Sequence, residues 1–393
     1  MELREHQIEA VKRMRNGCIL WGGTGSGKTF TSLAYYMDKE VPKDLYVITT
    51  AHKRDKLDWQ REAAIFGIHA SSPVQGRGQL FVDSWHNIAK YTHVKDAFFI
   101  FDEQKLVGKG AWAKAFLKIS RANRWVVLSA TPGDTWLDYA TIFIANGFYK
   151  NRTAFEREHV VWSYYGNFPQ LVRYLGTNKL KRLRDEILIP MEFVRHTRRH
   201  KIVETVEYDR NLFKQVMKTR QDPVTGEPFQ QVSSLIMALR RVGNGDPSRY
   251  SAVKRIIQER KKAIIFYNFD YELEILRGLR EDLGPETPVG EYNGHRHDPV
   301  PSGDSWVYLV QYNGAEAWNC ITTDTIIFYS MTYSYKIFEQ AMGRIDRMNT
   351  EYVDLYYYIL MNNGPIDKRI WSAIQDKKDF NESALKKDFK GLN

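Results

Sequence analysis

The stretch Gly22-Gly23-Thr24-Gly25-Ser26-Gly27-Lys28-Thr29 constrains this chain more than any other feature. Glycines at this spacing let successive backbone N–H groups converge on phosphate oxygens, provided a strand leads into the loop and a helix leads out. Both flanks read that way: an apolar run at 18–21 precedes the loop and a helical pattern at 29–37 follows it. The helix N-terminus adds its partial positive charge to the cradle. Residues 23–27, among them Thr24 and Ser26, would wrap the phosphates, with Lys28 reaching the β- and γ-phosphates. Thr29 would offer its hydroxyl to Mg²⁺. A glycine-rich turn without function is the bland alternative, and the strand–loop–helix setting disfavours it.

Short apolar segments continue the pattern. Strands are predicted at 18–21, 45–49, 79–82, 97–101 and 125–129, with helical stretches between them. They lack polar alternation, as expected of parallel strands covered on both faces. From 146 to 247 the chain reads as a helical, basic and aromatic region, ending in a linker at Gly243-Asn244-Gly245-Asp246-Pro247. Strands resume at 263–267, 307–311, 325–329 and 353–360, and a Lys-rich helix is predicted from Asp367. The expectation is an α/β protein with mainly parallel sheets. Its parts are a first domain at 1–145, an interlobe region at 146–247, a second domain at 248–366 and a C-terminal helix at 367–393.

Size and composition agree. A chain of 393 residues exceeds one ordinary core, and 43% hydrophobic residues are ample for two. No apolar run approaches the ~18 residues needed to span a bilayer, and the N-terminus lacks signal-peptide character, so a cytoplasmic protein without a membrane partner is expected. Cys18 and Cys320 have no metal-ligand spacing and read as buried small hydrophobes. The net charge of +10 suits a polyanionic partner.

Two further clusters carry chemistry. An apolar run at 97–101 ends in Asp102-Glu103. Asp102 would hold Mg²⁺ at the carboxyl end of its strand, and Glu103 would orient and deprotonate the attacking water. Far downstream, Gln340-Ala341-Met342-Gly343-Arg344-Ile345-Asp346-Arg347 sets two arginines one turn apart on one face of a predicted helix. Such a pair is ordinarily a solvated face or a salt-bridge partner. As arginine fingers, Arg344 and Arg347 would serve a nucleotide held between two lobes, worth roughly 10³–10⁵ in phosphoryl-transfer rate.

Taken in order, these elements resemble superfamily 2 helicases over nearly the whole chain. Leu3-Arg4-Glu5-His6-Gln7 resembles the N-terminal element, 22–29 motif I, 48–53 motif Ia, and Asp102-Glu103-Gln104-Lys105 motif II. Ser129-Ala130-Thr131-Pro132 resembles motif III, 264–267 motif IV, 314–319 motif V, and 340–347 motif VI. Within the superfamily the chain is most similar to Swi/Snf-type translocases and compact, phage-like viral helicases. Trp59 followed by Glu62, the arginine-rich run 193–199, and 239–244 carry that likeness. Gln104 in motif II and Trp318 in motif V depart from the common pattern.

The resemblance implies two tandem RecA-like P-loop domains that bind ATP and Mg²⁺. It implies that Gln7 reads adenine, that Gly314 and Glu316 help bind nucleotide, and that Gln104, Ser129 and Thr131 couple hydrolysis to movement. Catalysis falls to Lys28, Asp102, Glu103, Gln340, Arg344 and Arg347, and the metal to Thr29 and Asp102. Thr50, His52, Lys53, Ser84, Trp85, Asn293 and Arg296 would contact the nucleic-acid backbone, although core filling is the commoner fate of a residue like Trp85. Two basic runs, Lys179, Lys181, Arg182 and Arg184, then Arg195, Arg198, Arg199 and Lys201, offer a further face or simply solvated helices.

The activity expected is an ATP-dependent helicase or translocase acting on single- or double-stranded DNA. It would work as a monomer, with viral replication or recombination and its loading proteins as the setting. An RNA helicase, or a nucleic-acid-stimulated ATPase that remodels without unwinding, are the alternatives. A metabolic phosphotransferase or an ATP-operated switch would leave the 340–347 segment without a role.

Overall fold

The computed structural model describes residues 3–23, 25–70, 78–103, 110–164, 169–191, 195–314 and 320–382. Thr24, Gln104 and Glu316 lie outside the described residues, as do Phe193, Val194 and Trp318.

Fourteen strands are named in chain order: β1 (Ile19–Trp21), β2 (Leu45–Thr49), β3 (Leu80–Ser84), β4 (Phe98–Asp102), β5 (Arg124–Ser129), β6 (Val160–Ser163), β7 (Gln170–Tyr174), β8 (Leu188–Pro190), β9 (Arg198–Val206), β10 (Lys262–Tyr267), β11 (Val289–Tyr292), β12 (Trp306–Gln311), β13 (Thr325–Phe328) and β14 (Asp354–Asn362). They build two six-stranded sheets, ordered β3-β2-β4-β5-β1-β8 and β11-β12-β10-β13-β14-β9, and a β6-β7 hairpin. Pairing is parallel throughout both large sheets and antiparallel in the hairpin. The protein is α/β with two largely parallel sheets.

Each sheet is apolar on both faces because its strands alternate between two cores. In the first, Phe99, Phe101, Trp125 and Val127 enter one cluster, while Phe98, Ile100, Val126 and Leu128 enter the other. The second repeats the device: Ile264, Phe266, Trp306 and Tyr308 on one side, Ala263, Ile265, Val307 and Leu309 on the other. The period of two sends neighbouring side chains to opposite faces, so a strand buried on both sides reads as a continuous apolar run. Both cysteines are buried thiols, and burial pushes Cys18 up to about 11. Among the described residues no helix is long and apolar enough to cross a membrane.

The domain boundaries differ from expectation. Two compact units divide between residues 194 and 195, the second comprising 195–377, so 146–247 is not a separate region. Helices Trp136–Ala145 and Thr177–Ile187 supply Phe143 and Leu180 to the first core, and β8 pairs with β1 as an edge strand. β9 instead pairs with β14 along nine residues, Arg198 to Val206. An edge strand of only three residues, like β8, or one rich in exposed polar side chains, like β9, gives a weak periodic signal.

The expected linker at 243–247 lies within the second unit. Gly243 and Asn244 are buried at the end of helix Val232–Asn244, and Asp246 caps helix Pro247–Arg260. Asn244 Nδ2 donates to Glu272 at 2.8 Å. The glycines there permit close approach, since a Cβ on Gly243 would sit 2.8 Å from Asn362. Next to this turn, the fully buried Arg249 donates to the carbonyls of Gly243 (3.0 Å), Tyr329 (2.6 Å) and Leu360 (2.9 Å) and pairs with Asp367. Asp367 opens helix Pro365–Glu382, whose Ile370 and Ile374 enter the core. That helix is therefore structural over its first half rather than a solvated Lys-rich tail.

Candidate nucleotide site

A parallel sheet sends the carboxyl ends of all its strands to one edge, where α/β proteins bind ligands. In the first unit that edge gathers the loop after β1, Asp102 and Glu103 at the end of β4, Ser129 to Thr131 after β5, and Thr50 to Lys53 after β2. The order β2-β4-β5-β1 places β5 between the phosphate loop and the carboxylates. Gly22 N–H donates to the Ser129 carbonyl at 3.2 Å and Trp21 Nε1 to the Ala130 carbonyl at 3.0 Å, tying the loop to the end of β5. Ser129 is buried, and its Oγ accepts from the Thr131 N–H at 3.2 Å. Thr131 Oγ1 is buried with no hydrogen-bond partner among the described residues.

The loop curls back on itself. Gly25 and Gly27 take φ values of 82° and 81°, left-handed conformations that glycine adopts freely. Lys28 opens helix Lys28–Lys39 and donates from Nζ to the carbonyls of Gly22 (2.6 Å) and Gly23 (3.0 Å), which keeps the ammonium over the cradle. Buried Ser26 accepts from His6 at its carbonyl, 3.2 Å away. Gln7 braces the loop from behind. Its Oε1 accepts from the Arg4 N–H at 2.9 Å and its Nε2 donates to the Gly27 carbonyl at 3.4 Å. A Cβ on Gly27 would lie 2.5 Å from that Nε2, so the loop needs glycine here on two counts.

Asp102 is 2% exposed and unusually well held. Its Oδ2 accepts from Thr49 Oγ1 (2.8 Å), Lys53 Nζ (2.8 Å) and Trp59 Nε1 (3.1 Å). Burial alone pushes the carboxyl's pKa up. The Lys53 ammonium and the hydrogen bonds outweigh it and hold the group below the usual carboxylate range. Oδ1 accepts no hydrogen bond among the described residues. Glu103 adopts φ 63°, a left-handed conformation costing a non-glycine residue about 1 kcal/mol. Strain of this kind gathers at functional sites, where the surroundings over-determine it.

A cavity of about 230 Å³ adjoins this carboxylate, lined by Thr29, Lys53, Asp58, Trp59, Arg61 and Glu62. Burial raises Glu62 to about 7, with Lys53 opposing the rise and Asp102 and Asp58 adding to it. Sequence reasoning noted Trp59 and Glu62 only as a likeness. Their three-residue spacing on helix Asp58–Ile65 was the available signal.

The residues present suit a magnesium nucleotide. The loop is a glycine cradle with a resident ammonium at a helix N-terminus, and the Asp102 carboxylate and Thr29 hydroxyl are hard oxygen donors. Among the described residues no cluster of three His, Cys, Asp or Glu side chains could cage a metal. Magnesium is commonly held instead by one or two protein oxygens together with phosphates.

Several expected nucleic-acid contacts have other structural roles. Lys53 is engaged with Asp102. Thr50 caps helix Ala51–Asp55, its Oγ1 accepting from the Lys53 N–H at 3.3 Å, and His52 stands partly exposed on the same helix. Ser84 is buried, its Oγ accepting from Arg54 at 3.3 Å, and Trp85 is 1% exposed with Nε1 donating to the Asp102 carbonyl at 2.9 Å. Trp85 is core. In the second unit, buried Asn293 closes a turn by accepting from the N–H groups of His295 and Arg296, both at 2.9 Å. Arg296 pairs with Asp298 at 2.8 Å and stays half exposed. Gly314 lies against Tyr292, where a Cβ would approach the ring to 2.6 Å.

The arginine segment departs from its predicted geometry. Helix Tyr335–Met342 ends at the C-cap Gly343, so Arg344 and Arg347 sit in the turn beyond it and not on one helical face. Buried Gln340 closes the helix, its carbonyl accepting from Arg344 Nε at 3.1 Å. Asp346 anchors the turn that follows the helix. It is buried and accepts from Thr197 Oγ1 (2.7 Å), Arg199 Nε (2.6 Å) and Arg195, while Arg199 also pairs with Glu339. Burial would raise Asp346 and Glu339, yet the arginines hold both below their ordinary values. Arg195 and Arg199 therefore brace this turn and do not form an open basic face. In the other basic run, Arg184 is buried over the Trp136 ring at 5.2 Å and Lys179 pairs with Glu158 at 2.7 Å.

No protein-family description matches the chain, and comparison with curated proteins finds no match. The functional reading rests on the geometry above.

Proposed function

We propose that this protein is a nucleic-acid-dependent ATPase of the superfamily 2 type, with two RecA-like units, that translocates along DNA. The observation carrying the reading is the phosphate loop after β1 standing on the same sheet edge as Asp102-Glu103 after β4. The second parallel sheet, with a braced arginine turn of its own, supports a two-unit motor over a single-domain phosphotransferase.

Lys28 and the loop N–H groups would bind the triphosphate, and Thr29 and Asp102 would hold the metal. Magnesium, when bound, neutralises charge on the phosphate oxygens. Glu103 takes the proton of the attacking water, and Arg344 and Arg347 are assigned to the cleavage stage of the cycle. Ser129 and Thr131, on the segment bonded to the phosphate loop, relay its state. Movement then follows from different nucleic-acid affinities of the nucleotide states.

The test is phosphate release titrated with single-stranded DNA, duplex DNA, forked DNA and RNA of matched length. Turnover should be slow alone and rise severalfold with DNA. Steady turnover that ignores nucleic acid contradicts the motor, and stronger stimulation by RNA redirects it to an RNA track.

A further inference from the structure

Asp102, the carboxylate assigned to the metal, already carries a cation. Two of its three donors, Thr49 and Trp59, are 0% and 1% exposed and fixed by the core around them. The third is the Lys53 ammonium, whose side chain is 32% exposed on a flexible four-carbon stem. Glu62 lines the same cavity as Lys53 and makes no hydrogen bond or ion pair among the described residues. The charge of Lys53 already reaches the Glu62 carboxyl. Asp58, the other carboxylate lining the cavity, is paired with Arg61 at 3.6 Å and faces solvent.

We propose that Lys53 is a resident counter-ion which occupies Asp102 in the metal-free protein and crosses to Glu62 when a divalent ion is bound there. This deepens the nucleotide-site reading and rests on it. Two cations at one buried carboxylate repel each other strongly even on different oxygens, Lys53 on Oδ2 and a metal on Oδ1, so metal binding must expel the ammonium or be weakened by it. Glu62, which lines the same cavity as Lys53 and whose carboxylate has no hydrogen-bond or ion-pair partner among the described residues, is the alternative seat. The exchange also reaches beyond the site: the Lys53 N–H is capped by Thr50 on helix Ala51–Asp55, which carries His52. Metal occupancy would thus be felt by the helix expected to face nucleic acid. Lys53 and Glu62 are positioning residues in this scheme.

The experiment is an Mn²⁺ titration of the full-length protein with ADP, read by the loss of the free-ion electron paramagnetic resonance signal. Lys53→Met should lower the Mn²⁺ midpoint about tenfold, and Lys53→Arg should hold it near that of the unaltered protein. Glu62→Gln should raise the midpoint severalfold because the expelled ammonium finds no acceptor. With Lys53→Met in place, Glu62→Gln should add nothing. An unchanged or raised midpoint for Lys53→Met in a folded protein, or additive effects in the double variant, overturns the proposal. Asp102→Asn separates the two levels. If it abolishes Mn²⁺ binding while Lys53→Met changes nothing, only the counter-ion idea falls. If it leaves Mn²⁺ binding intact, the nucleotide-site reading falls with it.

Discussion

Replacing Arg249 by methionine should cripple the second unit selectively. The guanidinium is 0% exposed and joins four segments: the end of helix Val232–Asn244 through Gly243, Tyr329 immediately after β13, β14 through Leu360, and helix Pro365–Glu382 through Asp367. Methionine fills most of the volume but leaves those carbonyls without this donor. Among the described residues Asp367 then keeps one donor, the Asn362 N–H at 2.9 Å, and its charge loses its counter-ion. Removing one partner of a buried ion pair costs about 3–5 kcal/mol. With a urea dependence of ~2 kcal/mol/M, the unfolding midpoint should fall by about 1.5–2.5 M. Hydrogen exchange in peptides from 195–377, followed through a urea series, isolates this unit from the first. Adding Asp367→Leu should recover most of the loss, since the stranded charge is the main penalty, whereas Arg249→Lys should recover less because a point charge cannot span three carbonyls. A shift under ~0.5 M, or a double variant weaker than the single, would show that the clamp is not the source of stability.

Lys28→Ala should weaken binding of a fluorescent ATP analogue by ~10–100-fold and abolish turnover, because charge-assisted bonds to phosphate are lost; near-normal turnover contradicts the cradle. Arg347→Ala should leave analogue binding within about threefold while phosphate release falls ~10³-fold, and a defect confined to affinity argues against the cleavage role. Glu62 makes stability depend on pH. Its folded pKa of about 7 lies above the ordinary 4.5. The folded state therefore holds the proton more tightly, and stability falls as pH rises between those values, then levels off. Glu62→Gln should remove that fall. Relative to the unaltered protein, the variant should gain about 1–2 kcal/mol between pH 5 and 8, after discounting for partial exposure. Thermal unfolding at the two pH values tests this, and parallel pH profiles reject it.

Nine strands (β1 to β5, β10 and β12 to β14) and the glycine loop were legible because their signals are local, whereas β6 to β9, in a region read as helical, and β11 were not. Phe98 to Phe101 read as a strand for the same reason they are buried: both faces are covered, so every side chain is apolar. The loop needed only its glycines, Lys28, and its flanks. Lys53 was not legible. The likeness of 48–53 to motif Ia implied a phosphate contact, but the partner of Lys53 is Asp102, because β2 and β4 pair side by side. The arginine segment misled in the same way. Local spacing favoured a helix through Arg347, while Asp346 is captured by Arg199 of β9 and by Arg195 and Thr197 just before that strand, far away in the chain.

By itself, then, the order of residues determined which segments become the buried strands, where the glycine loop lies between strand and helix, and which carboxylates end a strand. Those properties depend on side-chain alternation and backbone freedom over a few residues. The tertiary structure alone decided the pairing of charges: Lys53 with Asp102, Arg199 with Asp346 and Glu339, and Arg249 with Asp367. A buried charge takes whichever opposite charge the packing brings within reach, and that choice exists only once the strands have neighbours.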